Sequence, residues 1–197
     1  MADEIYLIMN KPCGYVCSAV SDSHCTVYDL LSPELRALVQ GAKRGHRLHT
    51  IGRLDCDTSG LLLLTTDGIF SHKITASKEI GGASIEKKYL TVLARPLSPA
   101  EQTEYTKAAA AGLTLSPEKK FGEQTSAPAT LNFLSPDTCT ITVHEGKFHE
   151  VRRIFRALGN EVLQLKRIRI GELELPENLE AGAYRKLSEE ELSLLQK

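Results

Sequence analysis

Gly52-Arg53-Leu54-Asp55-Cys56-Asp57-Thr58-Ser59-Gly60, continuing through Leu61-Leu62-Leu63-Leu64 to Thr65-Thr66-Asp67-Gly68, is the stretch on which the reading of this chain turns. It places a carboxylate in a turn, beside an arginine, directly before a wholly apolar run. Glycines on both sides leave backbone space for close approach of a substrate. The apolar run is a buried strand by pattern and ties the turn to a rigid scaffold, which a reactive group requires. On these grounds Asp55 or Asp57 is the candidate reactive group. The plainer alternative is a capped turn leading into a core strand.

Working outward, residues 5–9 form a short apolar strand that Pro12 and Gly14 bring to an end. Residues 26–31 and 32–39 read as short helices, the second with Ser32 as N-cap and Pro33 in its first position. Residues 41–49 are polar, basic and loop-like. Residues 87–94 alternate and carry Tyr89, a strand pattern. Ser98-Pro99-Ala100-Glu101 is a capping box that opens an alanine-rich helix ending near Gly112. Strands are expected at 127–134 and 138–144, a helix at 148–158 stopped by Gly159, a strand at 161–170 and a last helix from Ser188. Residues 78–84 and 116–125 are the most loop-like. Scattered helices among more numerous strands give an α+β class with a mixed, mainly antiparallel sheet.

Composition narrows the function classes. The 197 residues are 42% hydrophobic and 25% charged, the balance of an ordinary globular protein. No apolar run reaches the ~20 residues of a membrane span, and the first ten residues lack the features of a secretory signal. The cytoplasm is the default. Five cysteines, an odd number, argue against a disulfide framework. Cys13, Cys17, His24 and Cys25 can be drawn as a zinc site, but their spacing fits no familiar finger, so no metal is expected. The net charge of −1 does not advertise a nucleic-acid binder. The basic residues nevertheless concentrate at 43–53 and 147–169, where they suit a phosphate backbone or a solvated helix face equally.

The Gly52–Gly68 stretch resembles the GRLDxxTSGLLLLTxDG signature of the RsuA-type pseudouridine synthases. The resemblance implies an enzyme that isomerises uridine in structured RNA, without cofactor or metal, and makes Asp55 the catalytic residue. Its fold implication is a long bent sheet with flanking helices and a central cleft, one catalytic domain over residues 1–197.

Other runs extend it. Glu86-Lys87-Lys88-Tyr89 resembles the EKxY motif, whose tyrosine lies against the target base; an ordinary strand aromatic is the alternative by pattern alone. Glu145-Gly146-Lys147-Phe148-His149-Glu150-Val151-Arg152-Arg153 resembles the EGKxHQVRR run, with Glu150 in place of glutamine. By this resemblance Arg152 pairs with Asp55 and keeps it charged, while Lys147 and Arg153 contact phosphates. Asn10-Lys11-Pro12 with Gly14 resembles the NKPxG entry motif, and residues 165–171 the closing strand. The expected RNA-binding residues are thus Arg53, Lys147, Arg153, Lys11 and Arg167, with Leu165 and Ile170 in the apolar pocket wall.

The Tyr15-Val16-Cys17-Ser18 run and residues 70–75 look closest to the small-subunit ribosomal RNA branch, so ribosomal RNA is the expected partner of a monomeric protein. That branch usually carries a small S4 RNA-binding domain first, whereas this chain starts near the first catalytic strand. Either a truncation or a natural lack of that domain would leave RNA affinity to the catalytic domain, to another protein or to a partly assembled ribosomal subunit. The rival class is a non-catalytic RNA-binding or assembly factor on the same fold.

Overall fold

The computed structural model describes residues 4–41, 46–75, 85–118 and 121–195. The chain divides into two compact units: residues 1–84 with 167–197, and residues 85–166.

The first unit is organised around its most apolar strand. It comprises β1 (Tyr6–Lys11), β2 (Tyr15–Val16), β3 (Cys25–Thr26), a 3-10 turn over Val27–Leu30, α1 (Pro33–Gln40), β4 (His49–Ile51), β5 (Thr58–Thr65) and α2 (Gly68–Thr75). Leu61 to Leu64 are all completely buried, as a strand without polar alternation must be. β5 pairs antiparallel with β1, Lys11 facing Gly60 and Leu7 facing Leu64, and β4 pairs antiparallel with its C-terminal half. β2 and β3 form a short parallel ladder. The expected helix over 26–31 is the single 3-10 turn, capped by Thr26 and Asp29. The helix α2 was not expected from the sequence. Asp67 starts it by accepting from the backbone N–H groups of Ile69 (2.9 Å) and Phe70 (3.0 Å), the work of an N-cap. The hydroxyl of Tyr6 also donates to Asp67 at 2.8 Å; burial and this bond push the phenol up to about 12.

The second unit comprises β6 (Lys87–Leu93), α3 (Pro99–Ala111), β7 (Thr114–Leu115), β8 (Gln124–Thr125), β9 (Thr130–Phe133), β10 (Thr138–Val143), α4 (Glu150–Ala157) and the start of β11 (Val162–Ile170). β10 lies between β6 and β9, antiparallel to both. Leu93, Tyr105, Leu131, Ile141, Ile154 and Phe155 belong to one core formed by α3, α4 and the sheet. The capping box at Ser98 is present, with Glu101 accepting from the Ser98 N–H at 2.9 Å. Within residues 116–125, expected as loop, Gln124–Thr125 form β8 and pair antiparallel with β7. The other loop expected, at 78–84, lies outside the described residues, and so do residues 42–45 of the basic loop.

From Arg167 onward β11 belongs to the first unit, which is completed by β12 (Leu173–Glu174), β13 (Tyr184–Lys186) and α5 (Glu189–Leu194). β13 pairs antiparallel with β1. Helices and an extensive, mainly antiparallel sheet make the class α+β. Among the described residues no helix is long and apolar enough to cross a membrane.

Candidate active site

The turn before β5 is held from inside. Leu54 is buried and anchors it, and the N–H of Thr58 donates to the Asp55 carbonyl at 3.1 Å to close it. Beneath it lies Lys11, at the end of β1 and completely buried. Its ammonium donates to the carbonyls of Thr58 (2.8 Å), Asp55 (3.0 Å) and Pro12 (3.1 Å), with Cys56 O at 3.5 Å. Gly14 N donates to Cys56 O at 2.8 Å, and the Cys17 sulfur lies 3.4 Å from both N and O of Leu54. Carbonyl dipoles converging on one cation fix the backbone of the turn. Asp55 is half-buried, and Asp57 and Arg53 are exposed. Burial pulls the Lys11 ammonium below the ordinary lysine range, opposed by the Cys17, Cys13 and Cys56 thiols and the Asp55 carboxylate around it.

Gly60 lets the next strand close in. Its φ is +101°, and a Cβ there would sit 2.2 Å from the Arg167 carbonyl oxygen. Only glycine fits such a backbone approach. Arg167, 3% exposed, donates from Nε to the Leu61 carbonyl at 2.8 Å.

In the second unit, Tyr89 sits in β6 opposite Ile141 of β10 and packs half-buried against the core. α4 supplies the arginines. Val151, Ile154 and Phe155 face the core at helical spacing, and between them Arg152 stays half-buried, donating to the Val162 carbonyl at 3.0 Å. Arg153 is 2% exposed. Its guanidinium donates to Gln124 Oε1 (2.7 Å) and to the carbonyls of Ser116 (2.9 Å), Leu115 (3.3 Å), Gly122 (3.3 Å) and Phe148 (3.4 Å). One planar fork thus ties the β7–β8 segment to α4.

The expected RNA-binding residues fall in different surroundings. Lys11, Arg153 and Arg167 are buried, and each donates to main-chain carbonyls of its own unit. Lys147 is half-buried and ion-paired with Glu145. Arg53 remains an exposed cation beside Asp55. Leu165 is a core residue of the second unit, and Ile170 is buried in the first.

His149 was not singled out by sequence. It precedes α4 in the left-handed region, φ 49° and ψ 31°, a strained conformation for a side chain with a Cβ. Its ring stacks on Phe148 at 3.8 Å, Phe148 stacks on Phe121 at 5.0 Å, and Nδ1 lies 2.8 Å from Glu118. The substituted Glu150 is 6% exposed. Burial pushes its carboxyl up, against the opposing charges of Lys147, Lys87 and Arg153. Glutamic acid matches glutamine in length and shape but carries at most one donor where the amide carries two. Among the described residues no group of three or more His, Cys, Asp or Glu could hold a metal ion.

Comparison with known proteins identifies the family. The family model for RNA pseudouridylate synthase matches residues 5–157. The chain belongs to the RNA pseudouridylate synthase family. Ribosomal small subunit pseudouridine synthase A of Pasteurella multocida is 41% identical over 192 residues, covering 98% of this chain and 74% of that protein. The protein of the same name from Haemophilus influenzae is 40% identical over 192 residues, with 98% and 74% covered. A crystal structure of a pseudouridylate synthase superposes with a TM-score of 0.83 at 39% identity, covering 99% of this chain and 75% of that one. The synthase fold expected from the Asp55 motif is therefore the fold of this chain.

Proposed function

We propose that this synthase converts a uridine of small-subunit ribosomal RNA to pseudouridine in the cytoplasm, acting as a monomer with Asp55 as the reacting group. The observation that supports the assignment to Asp55 is its turn: the main chain is clamped by the Lys11 ammonium while Asp55 itself stays half-buried. Of the two carboxylates left open by pattern, Asp55 is the one whose own carbonyl takes part in that clamp. The substrate class is supported by the names of the relatives, both small-subunit enzymes.

The chemistry follows from the substrate. The base must leave its stack before the glycosidic carbon and C5 are reachable. Asp55, as nucleophile or base, releases the C1′–N1 bond. The freed uracil turns and rejoins the sugar through C5; the proton lost from C5 balances the one gained at N1, so no cofactor is consumed. Tyr89 is assigned to the base by its EKxY motif, and Arg152 to the charge of the aspartate by the VRR motif. Arg53, exposed beside Asp55, is assigned to the RNA backbone.

The test is release of tritium from 5-tritiated uridine in small-subunit RNA, large-subunit RNA and transfer RNA, each also offered within assembled particles where these exist. Release from small-subunit RNA alone is expected. Release from another RNA alone would contradict the substrate, and none from any would contradict the activity.

A further inference from the structure

The thiols around the Asp55 turn have no part in the isomerisation, yet three of the five cysteines cluster there. Cys13 is exposed and Cys56 half-exposed, whereas Cys17 is buried against Leu54. The Cys13 sulfur lies 3.5 Å from the Asp57 carbonyl oxygen, next in the chain to Cys56. The hydrogen bond from Gly14 N to Cys56 O is 2.8 Å long. Each Cα lies about 2.4 Å from the hydrogen-bonded atom of its adjoining peptide, so this bond caps the Cα separation of Cys13 and Cys56 at about 7.6 Å, reached only if the two Cα and the two hydrogen-bonded atoms lay on one line. A disulfide spans about 4.4–6.8 Å. Both residues lie in one unit, on the two loops that Lys11 joins.

We infer that Cys13 and Cys56 form a peroxide-sensitive thiol pair whose oxidation to a disulfide switches off the Asp55 turn. Cys13 reacts first, being the more accessible of the two. The thiolate sulfur attacks the peroxide, the O–O bond breaks, and one oxygen leaves as water after taking up a proton. The Cys56 thiolate then attacks the sulfenic sulfur, forming the S–S bond and releasing the second oxygen as water. Two thiols are oxidised by two electrons and one hydrogen peroxide is reduced to two waters.

Closing this bond draws residues 13 and 56 to disulfide distance and shifts the main chain adjoining Asp55. A misplacement on the order of 1 Å at a reacting group costs about 100-fold in rate. The loss of turnover rests on the proposed role of Asp55; the formation of the bond does not.

The test is hydrogen peroxide on the full chain, read by peptide mass mapping and by tritium release side by side. Expected are a Cys13–Cys56 linked peptide lacking two hydrogens, a turnover loss of about 100-fold, and recovery of both with dithiothreitol. Cys13→Ser keeps its basal turnover and resists peroxide. Absence of the linked peptide overturns the pair, as does a peroxide loss undiminished in Cys13→Ser. A linked peptide with unchanged turnover overturns the switch. The mapping reads out even if the chain turns over none of the RNAs offered, so failure of the pair and failure of the proposed function are distinguishable.

Discussion

Replacing Lys11 with methionine tests whether a buried ammonium organises the catalytic turn. Methionine keeps the length of the side chain and removes the charge and the donors. Two of the four contacts are short, to Thr58 O at 2.8 Å and Asp55 O at 3.0 Å, and both carbonyls lie in the turn itself. A buried polar group left without its partner costs about 1–3 kcal/mol, so the pair contributes about 2–6 kcal/mol. Relief from burying a charge offsets part of this. The net expected loss is about 3 kcal/mol, which for a chain of this size lowers Tm by roughly 9 °C. The freed turn also loses its fixed geometry, so turnover falls about 100-fold in the fraction that remains folded. Thermal and urea unfolding followed by tritium release at a temperature where the variant is folded measure both. A Lys11→Met protein as stable and as active as the parent would refute the clamp. One that is fully stable but loses RNA affinity would return Lys11 to the phosphate-contacting role its motif first suggested.

Arg153→Lys keeps the charge but loses the fork that reaches Gln124 and the β7–β8 carbonyls; urea unfolding should show a loss of about 2–3 kcal/mol, with RNA affinity of the folded protein unchanged. A drop in affinity without one in stability would contradict its framework role. Gly60→Ala places a Cβ 2.2 Å from the Arg167 carbonyl oxygen at φ +101°, and should cost about 3 kcal/mol or more in the same assay. Hydrogen bonds from Ser98 N–H and the Arg95 and Ser98 side chains hold the Glu101 carboxyl down at about 2, below its ordinary 4.5. Its contribution to stability is therefore complete above the ordinary value and is lost as pH falls through the folded one. Glu101→Gln should flatten the acid limb of the stability curve in that window, and an unchanged limb would contradict the capping box.

The legible parts of this chain were those where local chemistry and tertiary demand agree. The Leu61–Leu64 run can only be a strand buried on both faces, and the Ser98 and Ser188 capping boxes mark helix starts that α3 and α5 follow. α2 leaves little trace in the sequence because its cap, Asp67, also closes the Gly52–Gly68 motif, and an aspartate there reads equally as a motif residue. β7 and β8 were missed because two-residue strands carry no period; what orders them is a guanidinium from α4, nearly thirty residues further along the chain. The site divides the same way. Motif spacing singled out Asp55, but charge type alone does not separate a cation bound for phosphate from one buried among carbonyls. Lys11, Arg153 and Arg167 match motifs that suggest RNA contact, and the structure finds all three buried. His149 is a specified position of the EGKxHQVRR motif, but its left-handed backbone, its stack on Phe148 and its contact with Glu118 have no signature in spacing.

The central claim is that Asp55 performs the isomerisation, and Asp55→Asn addresses it with the fewest intervening assumptions. The exchange keeps the size of the side chain and the main-chain carbonyl that Lys11 holds, and removes only the carboxylate. Tritium release on the RNA that the parent protein modifies should be abolished, with the unfolding midpoint and RNA affinity preserved. Retention of about a tenth or more of the parental turnover would contradict the account, because losing a nucleophile or base that acts on the reacting bond costs far more than tenfold.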